Sequence, residues 1–154
     1  MRRRELLGTL GMGAAAVAVT GRSVLADDHN DHDIHAHDDH IKIMEECAKL
    51  CNEAASHCLK QICDGKGDAE KHAKAVQFTV DCQTFCYMTA ALAGRHSPLS
   101  GVAHEANAKA CEACAEVCDP LAENAEIMKK CAEHCRKCAE VCREAAKQGH
   151  HDHG

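Results

Sequence analysis

Aromatic residues are nearly missing from this chain of 154 residues, which has no tryptophan, one tyrosine and two phenylalanines. Large rings therefore cannot fill its core, and alanine, cysteine and a few leucine, isoleucine, valine and methionine residues must do so. Proline is also scarce: Pro98 and Pro120 are the only two, so long helices can run without interruption. Positive charge is in deficit, with 18 Lys and Arg against 24 Asp and Glu and a net charge of −6. Arg2, Arg3, Arg4 and Arg22 all precede residue 27 beside the single acid Glu5, so the remainder is more acidic than the whole. That balance argues against nucleic acid as a partner. No apolar run is long enough to span a bilayer.

The abundant residue is cysteine, at 13 positions, joined by 13 histidines. The cysteines follow the seam of amphipathic helices. Cys111, Cys114 and Cys118 are spaced by three and four, and Cys131, Cys135, Cys138 and Cys142 by four, three and four. This is the apolar period of a packed helix face, written in sulfur where leucine would normally stand.

Four helices are expected. The first runs from about Asp39 to Cys63, with the seam His40, Met44, Cys47, Cys51, Ala54, Cys58, and ends at Asp64-Gly65-Lys66-Gly67. The second runs from an Asp68 cap to Ala93, with Gly94 closing it and Cys82 and Cys86 on its seam. The third starts with Ser97 as N-cap and Pro98 at the first helical position, and carries His104, Asn107, Cys111, Cys114 and Cys118. Asp119-Pro120 repeats that device, so a break is expected there before a fourth helix with seam Met128, Cys131, Cys135, Cys138, Cys142. Four helices of similar length with short turns favour an all-α, antiparallel up-down four-helix bundle with a cysteine-lined core, over residues 41–147. Residues 27–40 and 148–154 read as polar His-rich tails, the first disordered without metal. His57, His72 and His134 read as surface residues, and Met128 as a core filler.

Cysteines four apart on a helix stack with Cβ atoms roughly 5–6 Å apart, close enough to share one ion of low coordination number. Soft thiolates select Cu(I), which accepts two or three sulfurs. The Cys-x3-Cys pairs are 47/51, 82/86, 114/118, 131/135 and 138/142, and steps of three between them let sulfurs bridge ions along the bundle axis. Cys63 lies off the seam. Two other readings compete. One is a zinc or mixed-metal thiolate buffer, although zinc usually takes its tetrahedral ligands from turns. The other is a disulfide-stabilised structural bundle, against which stand the odd cysteine count and the side-by-side geometry of Cys-x3-Cys. No histidine has Glu three residues before it, so a di-iron site is excluded, and no catalysis is expected.

The pattern Cys-x3-Cys on four helices, with Cys-x2-Cys-x3-Cys on the third and Cys-x3-Cys-x2-Cys-x3-Cys on the fourth, resembles the cysteine-rich four-helix-bundle copper storage proteins. The resemblance implies oligomers that store many Cu(I) ions on inward cysteines. Carried over residue by residue, it names Cys47, Cys51, Cys58, Cys82, Cys86, Cys111, Cys114, Cys118, Cys131, Cys135, Cys138 and Cys142, and Cys63 less directly. Ala54, His104 and Asn107 interrupt the sulfur stripe. The resemblance also implies a His and Met mouth for the arriving ion, for which His40, Met44, His96 and His104 are the candidates. Copper-delivery or copper-accepting proteins would be the partners.

Residues 1–26 resemble a twin-arginine export signal: Arg3-Arg4-Glu5-Leu6-Leu7, a short apolar stretch from Leu6 to Thr20, and Val24-Leu25-Ala26 before the cut. Export to the periplasm by that route carries folded protein, which would protect buried thiols. Cleavage after Ala26 would expose Asp27-Asp28-His29, whose amine, two amides and imidazole suit square-planar Cu(II).

Overall fold

The computed structural model describes residues 31–149 of the chain. They form four helices, α1 (Asp31–Cys63), α2 (Ala69–Gly94), α3 (Ser100–Ala122) and α4 (Glu126–Gly149). Each helix packs on its sequence neighbours, and α1 closes the ring against α4. The result is the antiparallel up-down-up-down bundle expected from the seam spacing. No helix among the described residues is long and apolar enough to cross a membrane.

The core is thin and uniform. Twelve cysteines have no exposed surface, and they are packed with Met44, Met128, Ala48, Ala54, Ala75 and other alanines. Small side chains at the seams let the helices close up, and the remaining volume along the axis is filled with sulfur. Among the described residues, Asn107, Thr79 and Thr89 are the fully buried polar ones. The threonines satisfy their hydroxyls on backbone carbonyls, Thr79 on Ala75 at 2.7 Å and Thr89 on Ala103 at 3.2 Å.

Caps explain most of the boundaries. Asp68 accepts from the amides of Glu70 and Lys71 at 3.1 Å each and starts α2 as expected. Those hydrogen bonds, the Lys71 amide first, hold its carboxyl below the usual range. The α1–α2 turn uses Gly65 at φ 64° and Gly67 at φ 70°, a conformation that glycine adopts at no steric cost.

Four boundaries differ from expectation. Helix α1 begins at Asp31 rather than near Asp39, so most of the expected disordered tail is the first part of a helix; residues 27–30 lie outside the described residues. Ser97 and Pro98 do not start α3. The Ser97 hydroxyl accepts from the Leu99 amide at 3.3 Å within a turn, and α3 begins at Ser100 with no side-chain cap. Pro120 sits inside α3, and the break falls after Ala122. Asp119 is not a cap, because its carboxylate pairs with Arg136 of α4. Gly94 is the last residue of α2 rather than a left-handed stop; the positive φ falls on His96, at 50°.

Candidate metal centre

All four helices deliver sulfur to the axis. Cys47, Cys51 and Cys58 come from α1, Cys82 and Cys86 from α2, Cys111, Cys114 and Cys118 from α3, and Cys131, Cys135, Cys138 and Cys142 from α4. All thirteen cysteines of the chain carry free thiols. Cys63 alone is exposed, at the C-terminal end of α1, so the core does not reach it.

The close sulfur pairs run mostly between helices. Cys82 and Cys111 are 3.6 Å apart, Cys47 and Cys135 3.7 Å, Cys51 and Cys135 3.8 Å, Cys51 and Cys131 3.8 Å, and Cys51 and Cys114 3.9 Å. Among the pairs four apart, Cys131 and Cys135 stand at 4.0 Å. The Cys-x3-Cys pairs are thus joined by closer contacts across the axis, and two of them, 47/51 and 131/135, fall whole within the four-sulfur groups below. A helix presents its i and i+4 side chains in parallel, whereas facing helices aim theirs at each other across the axis.

Three four-sulfur groups result: Cys47, Cys86, Cys111, Cys138; Cys47, Cys51, Cys82, Cys135; and Cys51, Cys114, Cys131, Cys135, each with all sulfurs within 4.8 Å of one another. The groups interpenetrate. They share Cys47 in one step and both Cys51 and Cys135 in the next, so they use nine cysteines rather than twelve. Ions in such an array must be joined by bridging thiolates.

Burial and hydrogen bonding among the sulfurs shift the core thiols in both directions. It pushes the Cys58 thiol up to about 11, with the charge of Cys131 adding to it. Hydrogen bonding with Cys114, then Cys131 and Cys135, drives Cys51 far above the usual thiol range. Hydrogen bonds from Cys111, then Cys135 and Cys138, hold Cys47 well below it. Neighbouring S–H donors thus favour the thiolate at some sulfurs and the thiol at others, and metal binding displaces the protons that remain.

Asn107 is the functional candidate that sequence reasoning passed over. It was legible only as a gap in the stripe, yet its amide sits inside the sulfur network. Cys86 and Cys111 donate to its Oδ1 at 3.4 and 3.6 Å, and its Nδ2 donates to Cys142 Sγ at 3.3 Å. Met128 is a core residue as expected, and Cys58 donates to its Sδ at 3.6 Å.

Of the four mouth candidates, Met44 and His104 are buried, His40 is half-buried and His96 is exposed on the α2–α3 turn. His104 Nδ1 donates to the Ser100 carbonyl at 2.8 Å, which leaves Nε2 as the ring's lone-pair nitrogen. Of the three histidines expected on the surface, His72 is buried, which corrects that expectation. His57 and His134 are half-buried, and His134 Nε2 donates to the Ile43 carbonyl at 3.1 Å. Asp27, Asp28 and His29, and the export signal, lie outside the described residues.

The family profile of copper storage proteins matches residues 33–147, which include every helix seam described above. The chain belongs to the copper storage protein family. Solved structures agree. A cytosolic copper storage protein from Streptomyces lividans carrying five coppers is 28% identical, with a TM-score of 0.67 over 76% of this chain and 97% of that one. The same organism's protein loaded with 10 copper equivalents is 27% identical, with a TM-score of 0.68 over 80% and 93%. A protein of Nitrosospira multiformis is 28% identical, with a TM-score of 0.61 over 77% and 98%. No curated protein is similar enough in sequence to count as a match.

Proposed function

We propose that this copper storage family member holds multiple Cu(I) ions as cargo on its twelve core cysteines. The observation that carries the reading is a continuous axis of twelve buried thiols at positions within the helices. Zinc usually takes its four tetrahedral ligands from turns, whereas Cu(I) accepts two or three sulfurs and is selected by soft thiolates. In this reading the role is storage rather than catalysis. Anaerobic titration against a competing Cu(I) chelator, with zinc in parallel, tests the reading. Many tight Cu(I) equivalents per chain are expected. A sharp endpoint at three or four zinc ions with weak copper uptake would overturn it.

Copper reaches the core through the end bearing Met44 and His104, whose thioether and imidazole hold Cu(I) more loosely than thiolate. Residues 1–26 direct export by the twin-arginine route, and Asp27-Asp28-His29 then forms a Cu(II) chelate at the new N-terminus. Cell fractionation with and without Arg3→Lys/Arg4→Lys tests export. Loss of the visible Cu(II) band in His29→Ala tests the chelate. Val80, Tyr87 and Met88 are exposed apolar residues of α2, and they support self-association, which sedimentation reads directly.

A further inference from the structure

The end of the bundle where α1 turns into α2 and α3 into α4 carries metal-ligating side chains that the sulfur core does not use. His57 and His72 line a cavity of about 340 Å³ there, with Gln61, Lys71 and Asn124 also on its walls. The two imidazole rings are 6.5 Å apart between centroids.

His72 is held in place from two sides. It is only 7% exposed. Its Nδ1 lies 2.7 Å from the Asp68 carbonyl oxygen. A carbonyl can only accept, so Nδ1 carries the proton and Nε2 keeps its lone pair. A backbone acceptor on one ring nitrogen is the arrangement that fixes the tautomer and orientation of a metal-binding imidazole. Gly67 supports the ring: a Cβ at this position would fall 2.8 Å from His72 Cε1. The positive charge of Lys71 is offset by the Asp68 carboxylate, 3.6 Å away.

We propose that His57 and His72 form a second, thiolate-free metal site that takes a divalent first-row transition ion such as zinc. Imidazole suits these ions, and water or the side-chain carbonyl oxygens of Gln61 and Asn124 complete the shell. An ion about 2.0–2.1 Å from one nitrogen of each ring holds the centroids up to about 6 Å apart. A small swing of the half-buried His57 therefore closes the pair on one ion. The site lies beyond the sulfur array, and its ligands are borderline rather than soft, so it binds a different ion from the Cu(I) core.

The test begins with the full chain loaded anaerobically with Cu(I) to its endpoint, so that thiolates do not compete. Zn(II) is then added, with bound zinc counted after gel filtration and the histidine ring protons followed by NMR. Histidines elsewhere also take zinc, so the readout is the difference between wild type and variant. The His57 and His72 ring signals are expected to move together, and His57→Gln should remove one zinc equivalent with an unchanged Cu(I) endpoint. His57→Gln leaves the His72–Asp68 bond intact, so folding is not at risk. An unchanged zinc count in His57→Gln overturns the proposal. So do His57 and His72 shifts produced by inorganic phosphate instead of zinc, which would make the cavity an anion site. A failure of Cu(I) loading counts against the storage function alone, and the same wild-type and His57→Gln difference is then read on the metal-free chain.

Discussion

Cys135 stands within 3.7–4.0 Å of Cys47, Cys51, Cys82 and Cys131, and it belongs to two of the three sulfur groups. Replacing it with alanine should cost more than one Cu(I) equivalent, because each bridging sulfur serves more than one ion. Cys63→Ala should leave the endpoint unchanged, since that thiol is exposed. A chelator-competition titration of both variants checks the pair. Asn107→Cys is the converse experiment. The amide already sits within 3.3–3.6 Å of three sulfurs, so a thiol there should raise the endpoint. At this scale the sequence showed the cysteines and their phase. It did not show Asn107 as part of the network, because the cross-axis neighbours of a residue depend on how the helices are rotated against each other. The burial of His72 is hidden from the sequence for a related reason: the glycine turn folds back over it, which no helical period reports.

At the level of helices and turns, the number and order of elements were legible because the seams at 47–58, 82–86, 111–118 and 131–142 each fit one helix face. The ends were less so. Asp119-Pro120 predicts a break, yet α3 continues through it to Ala122. The missing amide falls in the last turn of α3, where losing one intrahelical bond is tolerable. The α1–α2 turn offers a sharper contrast. Gly65→Ala should cost about 1–2 kcal/mol, the penalty for an L-residue in the left-handed region with open space around it. Gly67→Ala carries that strain plus the collision with His72, so it should cost more. Urea unfolding of the metal-free protein checks the order, and equal midpoints would refute the role assigned to Gly67 in holding the ring.

For the molecule as a whole, protonation and loading are linked. The Cys58 pKa rises from 9.0 to about 11 on folding. Between those values the unfolded chain has released a proton that the folded chain retains, so this contribution to stability is intact below pH 9 and lost as the pH climbs through 11. Metal-free protein should therefore lose stability over that window in pH-dependent thermal melts. Copper-loaded protein should not, because its thiols have already released their protons to solvent on binding the metal. Loading at neutral pH should release protons into a weakly buffered solution, and a pH-stat measures them. Loading should also raise the melting temperature, since ions bound to the folded state alone stabilise it.

The diagonal pairs of the ring, α1 with α3 and α2 with α4, have no Cα atoms within 8 Å of each other among the described residues. They touch through sulfur, Cys51 to Cys114 and Cys82 to Cys135, both at 3.9 Å. Each ion bound there becomes a cross-brace between helices whose backbones stay apart. Stiffness should then grow with cargo, so amide exchange at the mid-helix positions would serve as a gauge of how full each molecule is.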